Sequence, residues 1–378
     1  MRKIPLCIPF TGQEEKDAVN QVIDSGWYAH GPKNLEFEAG FADYLGVKHA
    51  LSMNSCTSAI HLAVEGLGIT GEVILPSFTF VASANAVITG GARPVFADIE
   101  YDTCNIDPVS IEQLITPETQ AIMPVHFGGQ SANMTAVMEI AEAHKLYVIE
   151  DSAETIGGEH HNRLTGTFGV GCFSFYPTKN LTTGEGGMLT TDDDDLARKV
   201  KTLLAHGIDK STYEREDQEK SWFRSASRIG YNFRMSNILA AIGVEQLKKL
   251  PEMNRRRRIL AEKLTKALVD ISGIKPPVEK HENKHVYQMY TIRVGNGVDR
   301  DDFVRKLNAK GIGASIHFFP PVHHMEPYRG EQYQRDDLSI TEQVIQEIVT
   351  LPMYPQMTDD DLEYMVGSVK EVLSNYRK

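Results

Sequence analysis

The chain has 378 residues, with 39 Lys and Arg against 51 Asp and Glu, a net charge of −12. At roughly 150 residues per domain this is enough for two or three domains, or one large and one small. A composition of 41% hydrophobic and 24% charged residues excludes wholesale disorder, and an acidic chain is a poor nucleic-acid binder unless its basic residues cluster.

The one dense cluster, Arg255 to Arg258, sits in a helical pattern and reads as a solvated face. The opening MRKIPLCIPF lacks the long apolar core of a secretory signal. Residues 73–92 carry no charge over a length that could span a bilayer, but they include Pro76, Asn85, Gly90 and Gly91. A lipid-facing helix does not tolerate that density of polar groups and breakers. The stretch reads as a buried strand, a loop and a buried helix, with no membrane partner. Cys7, Cys56, Cys104 and Cys172 are scattered with no CxxC, which fits a reducing cytoplasm rather than a disulfide framework.

In chain order, EVILP (72–76) and ARPVFADI (92–99) read as strands, followed by a helix over 108–115. QAIMPVHF (120–127) is a strand, MTAVMEIAEAHK (134–145) a helix, and LYVIED (146–151) a strand. This β-α rhythm predicts a mostly parallel sheet covered by helices, with ligands at the carboxyl ends of the strands. Residues 171–191 read as two strands joined by a Gly/Thr-rich turn, and 197–206 as a helix. The polar, aperiodic 210–227 reads as a loop. A helix starts near Ser236 and Pro251 interrupts it. Beyond it come a helix, the strand HVYQMYTIRV, a helix, the strand GASIHFF and a final helix. The expectation is a large domain over 1–250, with an N-terminal arm, and a smaller α/β domain over 251–378.

Several motifs fail on context. GLGITG (66–71) matches the dinucleotide pattern literally, but it ends a helix and precedes a strand, the reverse of what that fingerprint needs. No HExxH is present, and the doublets His160-His161 and His323-His324 lack the spacing that puts two ligands on one helix face. The run Asp192 to Asp195 reads as a solvated turn. No metal is expected.

The informative segment is FSFYPTKNLTTGEGG (173–187). Lys179 lies on a short loop between apolar strands, where a partly buried amine can form a Schiff base with an aldehyde. Alone, it also fits a strand-end lysine reaching to water. Asp151 closes the strand LYVIED, where an acidic group could keep the ring nitrogen of pyridoxal phosphate (PLP) protonated, or could cap a helix. Thr57 and Ser58 open a helix whose hydroxyls and N–H groups suit a phosphate, or form an ordinary cap. Phe80, just past EVILP, could stack on a cofactor ring or pack in the core.

Together with SGWYAHGPKN, PSFTFVASANA, PVHFGGQSANM, VIEDSAE, GYNFRMSNILAA and HFFPPVH, these residues resemble the DegT/DnrJ/EryC1/StrS family of PLP-dependent sugar aminotransferases over nearly the whole chain. The resemblance implies the fold-type I, aspartate aminotransferase-like architecture. It implies that Lys179 forms the Schiff base with PLP and then moves the proton, and that Asp151 partners the ring nitrogen. Thr57, Ser58 and Ser174 match phosphate positions, Phe80 the stacking aromatic, and Glu154 a position near the cofactor ring where many members carry Gln or His. Asn232 matches a residue reaching the phosphate from a neighbouring subunit, which implies a homodimer. Trp27, Tyr28, His30, His317 and His323 fall in segments that line the sugar-nucleotide pocket of relatives, or else serve packing. Lys210, Arg215 or Lys220 could meet the diphosphate.

The implied reaction moves an amino group from L-glutamate to a nucleotide-linked keto-sugar for cell-surface polysaccharide, such as lipopolysaccharide O-antigen, or amino-sugar biosynthesis. The DSAE motif with TTGEGG and RMSN resembles enzymes that aminate C4 of a 4-keto-6-deoxy sugar nucleotide, GDP-perosamine synthases among them, although YPTKN departs from their FGNKT. A C3 aminotransferase is one alternative. The other is a dehydratase of the same fold, whose members carry His where Lys179 stands.

Overall fold

The computed structural model describes residues 2–208, 222, 225–295, 297–330, 332–333 and 337–376. Helices α1 (Gln13–Ser25) and α2 (Pro32–Leu45) precede β1 (His49–Met53), α3 (Cys56–Leu67), β2 (Glu72–Pro76), α4 (Val81–Thr89) and β3 (Arg93–Ala97). Then come α5 (Pro108–Leu114), β4 (Thr119–Ile122), α6 (Met134–His144) and β5 (Tyr147–Asp151). A small hairpin, β6 (Glu159–His160) and β7 (Arg163–Leu164), leads to β8 (Val170–Ser174), β9 (Gly187–Thr191), α7 (Asp194–Leu203) and the long α8 (Asn237–Leu268). The chain finishes with β10 (Ile274–Lys275), β11 (Asn283–Lys284), β12 (Tyr290–Val294), α9 (Arg300–Ala309), α10 (Ser339–Glu347), β13 (Ile348–Leu351) and α11 (Asp359–Ser374).

The central sheet has seven strands in the order β1-β9-β8-β5-β4-β2-β3. Only β9 runs against the others, since its pairings with β1 and β8 are antiparallel while β8, β5, β4, β2 and β3 pair in parallel. Alternation along β2 shows why both faces are covered. Val73 and Leu75 pack with α3 and α4 residues such as Ile60 and Val87, while Ile74 packs with Ile111 and Val137 on the opposite face. The carboxyl ends of β1, β2, β5 and β8 and the start of β9 therefore meet along one edge. The apolar run 73–92 is a strand, a loop and a helix, and Gly68, at φ 73°, closes α3 as a left-handed cap.

A second sheet, β10-β12-β13, carries its own core of Leu260, Leu264, Tyr290, Ile292, Phe303 and Met365. Ile4 packs into that same core and bridges to Ile312, so the N-terminal arm lies on C-terminal elements. Among the described residues, no helix is long and apolar enough to cross a membrane.

Several expectations fail for identifiable reasons. Pro251 does not interrupt its helix, because α8 runs unbroken from 237 to 268 and joins both cores, with Leu250 and Met253 in one and Leu260 and Leu264 in the other. Burial on both sides of the proline outweighs its missing hydrogen bond. HVYQMYTIRV is a strand only over 290–294, and GASIHFF makes a single bridge, Ser315 to Thr350. QAIMPVHF leaves the ladder at Ile122, ahead of Pro124. Within Asp192 to Asp195, Asp193 caps α7, its carboxylate accepting from the N–H groups of Asp195 and Leu196. The Arg255–Arg258 run is a solvated face only in part. Arg257 is buried, and its Nη1 donates to the carbonyls of Tyr287, Gln288 and Met353. The loop expected over 210–227 lies largely outside the described residues, and Lys210, Arg215 and Lys220 with it.

Candidate active site

The strand edge opens on a cavity of about 680 Å³, lined by residues of both cores. Lys179, Asp151, Glu154, Thr57, Phe80, Ser174 and His317 all line it. Strand β5 delivers Asp151 because its apolar residues bury it between β4 and β8, leaving the carboxylate where the strand ends. Its Oδ2 accepts from Ser83 Oγ at 2.7 Å and its Oδ1 from the Ala153 N–H at 3.2 Å. Burial raises the carboxyl above its ordinary value, against the lowering effect of these bonds and of the Lys179 charge. Ser83, in the first turn of α4, carries no signal in the sequence; only the fold turns it toward Asp151.

Lys179 sits on the β8–β9 connection with its side chain 15% exposed, and its Nζ lies 3.2 Å from Glu154 Oε1. Glu154 Oε2 accepts from the Gly128 N–H at 2.9 Å, which pins the carboxylate beside the amine. His317 lines the same wall, its Nδ1 2.9 Å from Thr350 Oγ1, and burial lowers its pKa so that the ring favours its neutral form.

The α3 N-terminus forms the opposite wall. Ser55 caps it, accepting from the Ser58 N–H, and Ser55, Cys56 and Thr57 face the cavity. Ser58 is turned aside, its hydroxyl donating to Asn54 Oδ1 at 2.7 Å. Gly187 is required here by a close approach, since a Cβ on it would lie 2.3 Å from the Ser55 carbonyl carbon. Ser174 ends β8 beside this wall. Phe80 is 61% exposed at the cavity mouth, with its ring 6.3 Å from that of Phe318. Cys56 and Cys172 stay thiols, because burial pushes both well above their ordinary pKa.

Other expected residues lie outside this cavity in their own chain. Trp27 Nε1 donates to the His30 carbonyl, the Tyr28 hydroxyl to the Ile23 carbonyl, and His30 Nε2 sits 3.4 Å from Glu38. Asn232 is exposed and makes a backbone bridge to Ala205. His323 is buried behind the wall against Ser77.

The donor set fits PLP: an amine for its aldehyde, a buried carboxylate for its ring nitrogen, an aromatic face, and helix N–H groups with hydroxyls for its phosphate.

The sequence profile of the DegT/DnrJ/EryC1/StrS aminotransferase family matches residues 9–370. The spore coat polysaccharide biosynthesis protein SpsC of Bacillus subtilis is 40% identical, over 98% of this chain and 97% of its own length. The putative sugar aminotransferase Spr1654 of Streptococcus pneumoniae, solved in its PLP form, superposes with a TM-score of 0.91 at 25% identity, over 99% of this chain and 100% of its own. DesI, solved in the presence of its TDP-sugar product, gives 0.88 at 28% identity, over 100% of this chain and 97% of its own.

Proposed function

This chain belongs to the DegT/DnrJ/EryC1/StrS aminotransferase family and is a PLP-dependent sugar aminotransferase of the fold-type I architecture, and from that premise we propose that it aminates C4 of a nucleotide-linked 4-keto-6-deoxyhexose, with L-glutamate as donor. The observation that carries the reading is Lys179 and Asp151 facing one cavity beneath the α3 N-terminus. The likeness to SpsC supports a place in surface-polysaccharide synthesis, and the likeness to DesI supports a nucleotide-sugar substrate. Four free cysteines suit a cytoplasmic setting.

When bound, PLP supplies an aldehyde for amines and a ring that takes up electron density. Lys179 would hold the cofactor through its Nζ and, as a free amine, would be the group that moves the proton. Asp151 would partner the ring nitrogen and keep it protonated, and that positive charge would favour the ionised form of the buried carboxylate. Glu154, fixed by the Gly128 N–H, lies 3.2 Å from Lys179 Nζ and positions the side chain when the amine is free. The Ser55–Thr57 end of α3 and Ser174 would hold the phosphate, and Phe80 would pack on the ring. Asn232, exposed and away from its own cavity, serves the site of a partner copy in a homodimer.

The test is a panel of 4-keto and 3-keto sugar nucleotides with glutamate, read by product mass and by NMR of the aminated carbon. Nitrogen at C4 supports the proposal. Nitrogen at C3 overturns the position, and loss of a hydroxyl without nitrogen uptake overturns transamination in favour of a dehydratase.

A further inference from the structure

Away from the cavity, the fold brings two imidazoles and a carboxylate to one point. His323 and His324 lie on a 3-10 turn (Val322–His324), and Glu342 lies on α10. Nε2 of each histidine is 2.7 Å from the same oxygen, Glu342 Oε1, and the ligand atoms all fall within 4.8 Å of one another. Adjacent histidines cannot share one face of an α-helix. On this turn both side chains reach the α10 carboxylate instead, so the doublet set aside on spacing regains its chemistry.

We propose that His323, His324 and Glu342 form a binding site for a divalent transition-metal ion of the zinc type. Two imidazole nitrogens and a carboxylate oxygen are a donor set zinc takes in open sites, with a water at the fourth position. Bonds of about 2.0–2.1 Å in tetrahedral geometry separate ligand atoms by about 3.3 Å, so an ion needs the 2.7 Å contacts to open by well under 1 Å. The ring of His323 is held from behind. Ser77 Oγ sits 2.5 Å from its Nδ1 and accepts from its backbone N–H at 3.2 Å. Such a partner orients a metal-binding imidazole and leaves Nε2 for the ion. The side chains of His324 and Glu342 are 43% and 41% exposed, which gives the ion an entry path and its water a place.

The site would tie α10 to the wall of the cavity. Ser77 precedes the segment bearing Phe80, and the histidine turn follows Phe318, Phe319 and Pro320, which line the cavity. The ion is therefore a clamp on that wall and takes no part in the transamination.

The experiment uses full-length, tag-free, PLP-loaded protein stripped with a chelator, dialysed against Zn²⁺, and separately titrated with Co²⁺ for its visible spectrum. PLP itself offers oxygen ligands, so the measured quantity is the difference from a His324→Ala/Glu342→Gln double variant. The expected result is one more Zn²⁺ per chain in the wild type, a tetrahedral Co²⁺ spectrum that the double variant lacks, and a zinc-dependent rise in Tm. Each single variant weakens binding by about 100-fold, and Ser77→Ala by about 10-fold. Both altered ligands are half exposed, and retained PLP absorbance reports an intact fold. Equal zinc content and equal affinity in wild type and double variant would overturn the proposal.

Discussion

Asp151→Asn should make the cofactor-free protein more stable and the enzyme slower. The wild-type carboxylate is buried with two strong donors, Ser83 Oγ at 2.7 Å and the Ala153 N–H at 3.2 Å, and a weak one, Cys56 Sγ at 4.0 Å. Hydrogen bonds to a charged group contribute about 1.5–3 kcal/mol each and neutral ones about 0.5–1.5, so the substitution weakens the pair by about 2–3 kcal/mol in total. It also abolishes the desolvation of a buried ion, which is several kcal/mol. The raised pKa of Asp151 reflects desolvation outweighing the bonds, so the amide is the more stable form in the cofactor-free protein near neutral pH. The sign with pH follows from that direction. A raised native pKa gives stability that is fully present below the unfolded value, about 3.9, and lost as pH rises through the native value. The variant's advantage is therefore absent in acid and grows toward neutrality, as thermal unfolding of PLP-free protein at a series of pH values would record. In the loaded enzyme the amide cannot hold a protonated ring nitrogen. Losing a charge-assisted bond of about 1.5–3 kcal/mol slows turnover by at least about 10-fold, at 1.36 kcal/mol per factor of ten. A variant with kcat within twofold of wild type, or one less stable than wild type without PLP at pH 7, refutes the reasoning.

Ser83→Ala removes a bond that lowers the Asp151 pKa, so the acid limb of the rate profile should move to higher pH; an unmoved limb separates Ser83 from the site. Arg257→Ala leaves three buried carbonyls without a donor and should cost about 3 kcal/mol or more in urea unfolding, where a solvated arginine would cost within about 0.5. Gly187→Ala drives a Cβ into the Ser55 backbone and should weaken PLP retention, measured by dialysis and visible absorbance, with far-UV circular dichroism unchanged.

The strands that build the sheet were legible because they are short apolar runs whose flanks change period. Asp151 and Lys179 stand out as charged residues ending or joining such runs, but each alone also fits a helix cap or a strand-end lysine, and the resemblance of the surrounding motifs is what implies their roles. Ser83 and the Gly128 N–H carried no signal, since a serine in a helix and a glycine in a turn are ordinary until the fold aims them at a carboxylate. Pro251 and Arg257 misled in opposite directions. A proline reads as a break and an arginine run as surface, but neither rule knows that α8 is gripped by two cores.

By itself the sequence determined the alternation of strands and helices, and it placed an amine and an acid, Lys179 and Asp151, at the strand ends that line one cavity. It could do so because periodicity and strand-end charge are local properties of the chain. The tertiary structure alone decided which distant groups meet: Ser83 with Asp151, Gly128 with Glu154, Glu342 with two adjacent histidines. Those meetings join residues from about 20 to 68 positions apart, and side-chain direction there is set by packing that no local pattern encodes.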